Sequence, residues 1–181
     1  MRKIFLLTAL ICCIAFGASA QDNKTPQNVP AAPSAPQLPP YQKNPTIPEF
    51  RMMLMDSVTF INSKSIAKGQ NTLFVIFSPD CKHCKAFTKE LLENIDLLKS
   101  KNVQIYLVTP IRNLGALRSY YSEYNFQNYP IIKAVAQDTE FFVMDFFAIR
   151  SFPSAILYDE QKKLIIELGN PTIKDLLANL R

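Results

Sequence analysis

Five consecutive apolar residues, Leu73 to Phe77, stop at Ser78-Pro79. A strand with one wet face alternates apolar and polar side chains, so an unbroken run this short fits a strand covered on both faces. Directly after it, Cys84, Phe87, Leu91, Ile95 and Leu98 recur close to one face of a helix. Between the two lies Pro79-Asp80-Cys81-Lys82-His83-Cys84. A covered strand therefore hands over to an amphipathic helix at a pair of cysteines, and the rest of the chain has to supply the covering layers.

The flanking segments read accordingly. Phe50 to Met55 and Val58 to Phe60 look like short strands around Asp56-Ser57, an N-terminal hairpin. Val103 to Val108 is a second buried strand, stopped by Thr109-Pro110, and Ile131 to Ala136 is a third. Leu114, Leu117, Tyr120, Tyr121 and Tyr124 recur at helical spacing, and Thr139 to Ile149 reads as a further helix rich in aromatics. Ala155 to Tyr158 and Leu164 to Leu168 form a hairpin around the polar residues 159–163. Asn170 is placed to cap a closing helix with Pro171 at its first position, and Ile173, Leu176, Leu177 and Leu180 mark its buried face. Alternating strands and helices predict an α/β domain with a mixed, largely parallel central sheet, helices on both faces and an antiparallel edge.

That domain is expected to span residues 49–181. Residues 1–20 have the three parts of a secretory signal: Met1-Arg2-Lys3, an apolar run from Ile4, and Ala18-Ser19-Ala20 as a cleavage site. An uncleaved anchor is the alternative reading. Residues 21–48 hold eight of the 13 prolines. Proline fixes φ and lacks an N–H, so this stretch is expected to be an extended, solvated linker. Wholesale disorder is excluded for the rest, because 48% of the chain is hydrophobic and only 19% charged. The net charge of +5, without a basic run or basic helix, does not call for nucleic acid or a membrane surface as partner, and Lys162-Lys163 reads as a solvated hairpin tip.

Removal of the leader takes Cys12 and Cys13 with it and leaves Cys81 and Cys84 in an oxidising compartment, secreted across the inner membrane into the periplasm. Residues three apart on a helix share a face with Cβ atoms ~5–6 Å apart, so a small adjustment of the first turn closes a Cys81–Cys84 disulfide. The two sulfurs are expected to differ. Cys81, at the helix start, meets unpaired N–H groups and the positive end of the dipole, which favour its thiolate. Lys82 and His83 add positive charge beside it, and Asp80 opposes them. Cys84, one turn in, continues the buried face. Cys81 is thus the candidate nucleophile and Cys84 the resolving thiol of disulfide exchange, with no metal or organic cofactor.

With these residues in view, the domain resembles the thioredoxin-like superfamily, nearest the extracytoplasmic TlpA-like and redoxin-like thiol–disulfide oxidoreductases. The strand Leu73 to Phe77, Cys81-Lys82-His83-Cys84 opening a helix, Phe152-Pro153 before Ala155 to Tyr158, and the closing hairpin and helix carry the resemblance. It implies a cis Phe152-Pro153 peptide beside the cysteines, shaping a substrate groove. It also implies protein disulfides or dithiols as substrates, a redox-recycling partner such as a membrane electron carrier, and a monomer. The chain departs from the family in having no Trp, in placing Asp80 before the first cysteine, and in having Val75 and Phe87 where many relatives carry acids. The proton acceptor for Cys84 is thereby left open, with Glu90 or water as candidates. A non-enzymatic binding module with a static Cys81–Cys84 disulfide stays open as an alternative, as does a peroxiredoxin-type peroxidase.

Overall fold

A computed structural model describes residues 38–180. The described residues open with a short helix, α1 (Pro40–Lys43), then a hairpin of β1 (Arg51–Leu54) and β2 (Phe60–Asn62). Next come β3 (Asn71–Ile76), α2 (Lys82–Glu93), α3 (Ile95–Ser100), β4 (Val103–Thr109), α4 (Leu114–Glu123) and β5 (Ile132–Gln137). α5 (Phe142–Phe146), β6 (Ser154–Tyr158), β7 (Leu164–Gly169) and α6 (Ile173–Asn179) complete the fold. The seven strands form one sheet in the order β2-β1-β5-β4-β3-β6-β7. β3, β4 and β5 run parallel, and antiparallel strands flank them on both sides.

Side chains alternate across each strand, so every strand contributes to two cores. Leu73, Val75, Ile105, Leu107, Ala155 and Leu157 face one side, beneath Cys84, Phe87 and Leu91 of α2, Leu117 and Tyr120 of α4, and Leu176 of α6. Phe74, Ile76, Tyr106, Val108, Ile156 and Tyr158 face the other, beneath Tyr41 of α1 and Val143 of α5. All six residues of β3 are buried, which is what its unbroken apolar run required.

Four local expectations need correction. Residues 38–48 are not a solvated linker: they belong to the folded unit. Tyr41 is buried, Ile47 N–H donates to Lys162 O at 3.1 Å, and Leu164 N–H donates to Pro45 O at 2.6 Å. Residues 1–37, including the leader and most of the proline segment, lie outside the described residues. The second hairpin strand starts at Phe60 rather than Val58, because Asp56 Oδ1 takes the N–H groups of Val58 and Thr59 into a turn. The helix after the cysteines is broken at Asn94 (φ −108°, ψ 17°), where its periodicity continues into α3. Asn170 does not cap α6: it is left-handed (φ 49°) and gives its N–H to Pro153 O at 2.9 Å. Thr172 caps instead, in a reciprocal box with Asp175.

Candidate redox site

Strand register brings the two halves of the site together. β3 and β6 are antiparallel with Ile76 opposite Ser154, so the residue before β6 lies at the same end of the sheet as the residues after β3. Phe152-Pro153, a cis peptide, thus sits next to the start of α2. The Cys81 thiol lies 3.7 Å from Phe152 O.

Cys81 is the N-cap of α2, with extended backbone (φ −77°, ψ 121°). Its N–H donates to Ser78 O at 3.1 Å, closing the turn that ends the strand. Its sulfur accepts the N–H of Cys84 at 3.3 Å, filling the place a Ser or Asp oxygen takes in other helix caps. Cys81 is partly exposed, whereas Cys84 is 1% exposed. Both are free thiols. Burial, reinforced by the hydrogen bond shared with Cys81, pushes the Cys84 thiol from 9.0 up to about 12.

The other candidate residues divide. His83 lines an open groove of about 540 Å³ with Ala86, Phe87, Glu90, Pro153 and Pro171. Asp80 and Lys82 are exposed and do not line it. No side-chain hydrogen bond joins Asp80, Lys82 or His83 to either sulfur among the described residues. Phe152 contributes its carbonyl to Cys81, while its ring packs against both cores. Val75 is buried in the same core as Cys84, so an apolar side chain occupies the strand position where an acid would lie. Glu90 Oε1 accepts the Ile173 N–H at 3.1 Å and ties α2 to α6.

Helical spacing puts Tyr120 and Tyr124 on one face of α4 but does not reveal what their hydroxyls do. Tyr120 donates to Cys84 O and Tyr124 to Lys85 O, each at 3.4 Å. Thr88 shares a 2.5 Å hydrogen bond with Tyr120. The first turn of α2 is therefore gripped from below by α4. The spacing of the tyrosines gave a face but could not give the acceptors, which are backbone atoms of another helix. Among the described residues, no cluster of His, Cys, Asp and Glu could hold a metal.

A thioredoxin-like domain family model matches residues 63–181, about two thirds of the chain. The chain belongs to the thioredoxin-like family. No curated protein matches it closely enough to count as a relative. Solved structures share the fold at low identity. A secreted Mycobacterium tuberculosis disulfide oxidoreductase homologous to E. coli DsbE is 16% identical with a TM-score of 0.58, covering 72% of this chain and 93% of its own. A thioredoxin-family thiol:disulfide interchange protein from Chlorobium tepidum is 16% identical with a TM-score of 0.60, covering 81% and 97%. The thioredoxin domain of a Bacteroides vulgatus thiol-disulfide oxidoreductase is 19% identical with a TM-score of 0.58, covering 75% and 96%. This thioredoxin-like protein thus carries its cysteine pair on the fold those oxidoreductases use.

Proposed function

We propose that this thioredoxin-like chain is an extracytoplasmic thiol–disulfide oxidoreductase acting on protein disulfides and dithiols. The asymmetry of the two sulfurs carries the reading: Cys81 is partly exposed beside the Phe152-Pro153 peptide, and Cys84 is buried one turn behind it. The Cys81 thiolate attacks a substrate disulfide, forming a mixed disulfide and expelling one substrate sulfur, which takes up a proton. Cys84 then loses its proton and attacks Cys81 Sγ. The second substrate thiol leaves, and a Cys81–Cys84 disulfide remains, two electrons having passed to the substrate. The reverse sequence oxidises a dithiol. A recycling partner, by family analogy a membrane electron carrier, would reset the pair. The leader-like residues 1–20 support the location, and the names of the structural neighbours support the reaction class.

The test is a redox titration. Equilibrating the purified protein with glutathione buffers and counting alkylatable thiols should reveal one reversible two-electron transition, and Cys84→Ser should leave substrates trapped on Cys81. A pair that reacts only after the protein unfolds, together with no trapped mixed disulfides, would make the domain a static binding module instead.

A further inference from the structure

At the end of the sheet opposite the cysteines, a second cavity has a distinct chemistry. β3 begins at Asn71 and β6 ends at Tyr158, with Thr72 opposite Tyr158, so the loop before β3 meets the tip of the β6–β7 hairpin there. Six residues of strand, about 20 Å, separate this end from the redox site. The cavity holds about 430 Å³ and is lined by Ile47, Ser63, Lys64, Ile66, Lys68 and Lys162. Three lysines line it and no carboxylate does. The single ion pair among the described residues, Lys85 with Glu123, involves none of them.

Lys162 is not a trailing surface side chain. Its backbone is left-handed (φ 65°) and is fixed by donation of its N–H to Asp159 O at 2.9 Å. Its ammonium donates to Ile66 O at 2.9 Å and to Ser63 O at 3.4 Å, which leaves one of three donors free. Burial, with the nearby charge of Lys68, holds Lys162 below the ordinary lysine range. Like charges gathered without a counter-charge repel, and an anion among them turns that repulsion into attraction.

We infer that Lys64, Lys68 and Lys162 form a binding site for a phosphate-type oxyanion. Ammonium groups recognise phosphate as point charges, and three of them suit a multiply charged group. Such a group is presented either by a soluble phosphate or pyrophosphate ester or by the headgroup of an anionic phospholipid.

The experiment uses the full-length protein and its Lys64→Gln/Lys68→Gln variant. Both positions are exposed, so the fold is spared. Inorganic pyrophosphate is titrated calorimetrically at low salt, and flotation with phosphatidylglycerol vesicles is compared with flotation on zwitterionic vesicles. Saturable one-to-one pyrophosphate binding, weakened at least tenfold in the variant and by added salt, supports the site with a soluble ligand. Flotation specific to anionic vesicles, lost in the variant and competed by pyrophosphate, supports it with a lipid headgroup. Lys162→Gln should lower either signal further. Absence of both signals at millimolar ligand, or binding that the double variant leaves unchanged, overturns the inference. The glutathione titration of the cysteines should be the same in variant and wild type, which keeps this site separable from the redox reading.

Discussion

Tyr158 closes β6 at 0% exposure, between the rings of Phe74 and Phe147, and its hydroxyl finds no partner among the described residues. A buried polar group without a hydrogen bond costs about 1–3 kcal/mol. Tyr158→Phe should therefore leave stability unchanged or raise it by up to about 1 kcal/mol in urea unfolding. A loss larger than about 1 kcal/mol would show that the hydroxyl is satisfied after all. The cysteines show the opposite kind of residue, one whose placement is legible in sequence. The spacing of Cys81 and Cys84, at the point where a covered strand becomes a helix, already fixes which sulfur is outside and which inside. Their partners were not legible. The Phe152 carbonyl, the Tyr120 hydroxyl and the Glu90 link to Ile173 all join residues more than 30 positions apart. Their directions depend on strand register and helix docking, which no local pattern encodes.

Among the elements, α5 shows how one polar side chain overrides a long apolar pattern. Periodicity predicts a helix over 139–149, yet only Phe142–Phe146 is helical. The late start is set by Asp138, fully buried just after β5, whose carboxylate takes the Glu140 N–H at 3.2 Å and the Val143 N–H at 2.7 Å. Those bonds hold residues 139–141 in a loop, and Phe141 turns left-handed (φ 58°) before the helix can start. Hydrogen bonds to a charged group are each worth about 1.5–3 kcal/mol, and an orphaned buried N–H adds to the loss. Asp138→Ala should cost roughly 2–4 kcal/mol in urea unfolding, and Asp138→Asn, which keeps one acceptor, less. Equal losses for the two would mean that the charge rather than the acceptor geometry holds the turn. The same competition between a short polar side chain and regular backbone pairing sets the late start of β2 at Asp56. β3, β4, β5, β6 and β7 fall within two residues of their expected limits, and β3, β4 and β6 are buried on both faces, which leaves them little choice.

For the molecule as a whole, the domain boundary was the least legible feature. Proline content argued for a solvated segment up to residue 48, but Tyr41 docks on Phe147 and the chain then pairs backbone groups with the β6–β7 hairpin. An aromatic side chain with a buried site to fill outweighs the local preference of its neighbours. The two-core architecture has a further consequence, because it buries acids that titrate only at high pH. Burial holds the Tyr106 phenol up to about 12 from 10.0, and it raises Tyr120 and Tyr158 further. Burial, with its bond to Cys81, holds the Cys84 thiol up to about 12 from 9.0. In each case the folded state keeps a proton that the unfolded chain has released. The stability they contribute is fully present below about pH 9 and is lost as pH rises through the folded values, with each group adding a slope of up to about 1.4 kcal/mol per pH unit. Reduced protein unfolded in urea between pH 8.5 and 11 should therefore weaken steeply. Cys84→Ser, which has no thiol to ionise, should flatten that slope, with the difference opening first near pH 9 because the thiol titrates below the phenols. Parallel slopes for wild type and Cys84→Ser would mean that Cys84 ionises in the fold as readily as in the open chain. The hidden sulfur on which the exchange cycle depends would then not be hidden.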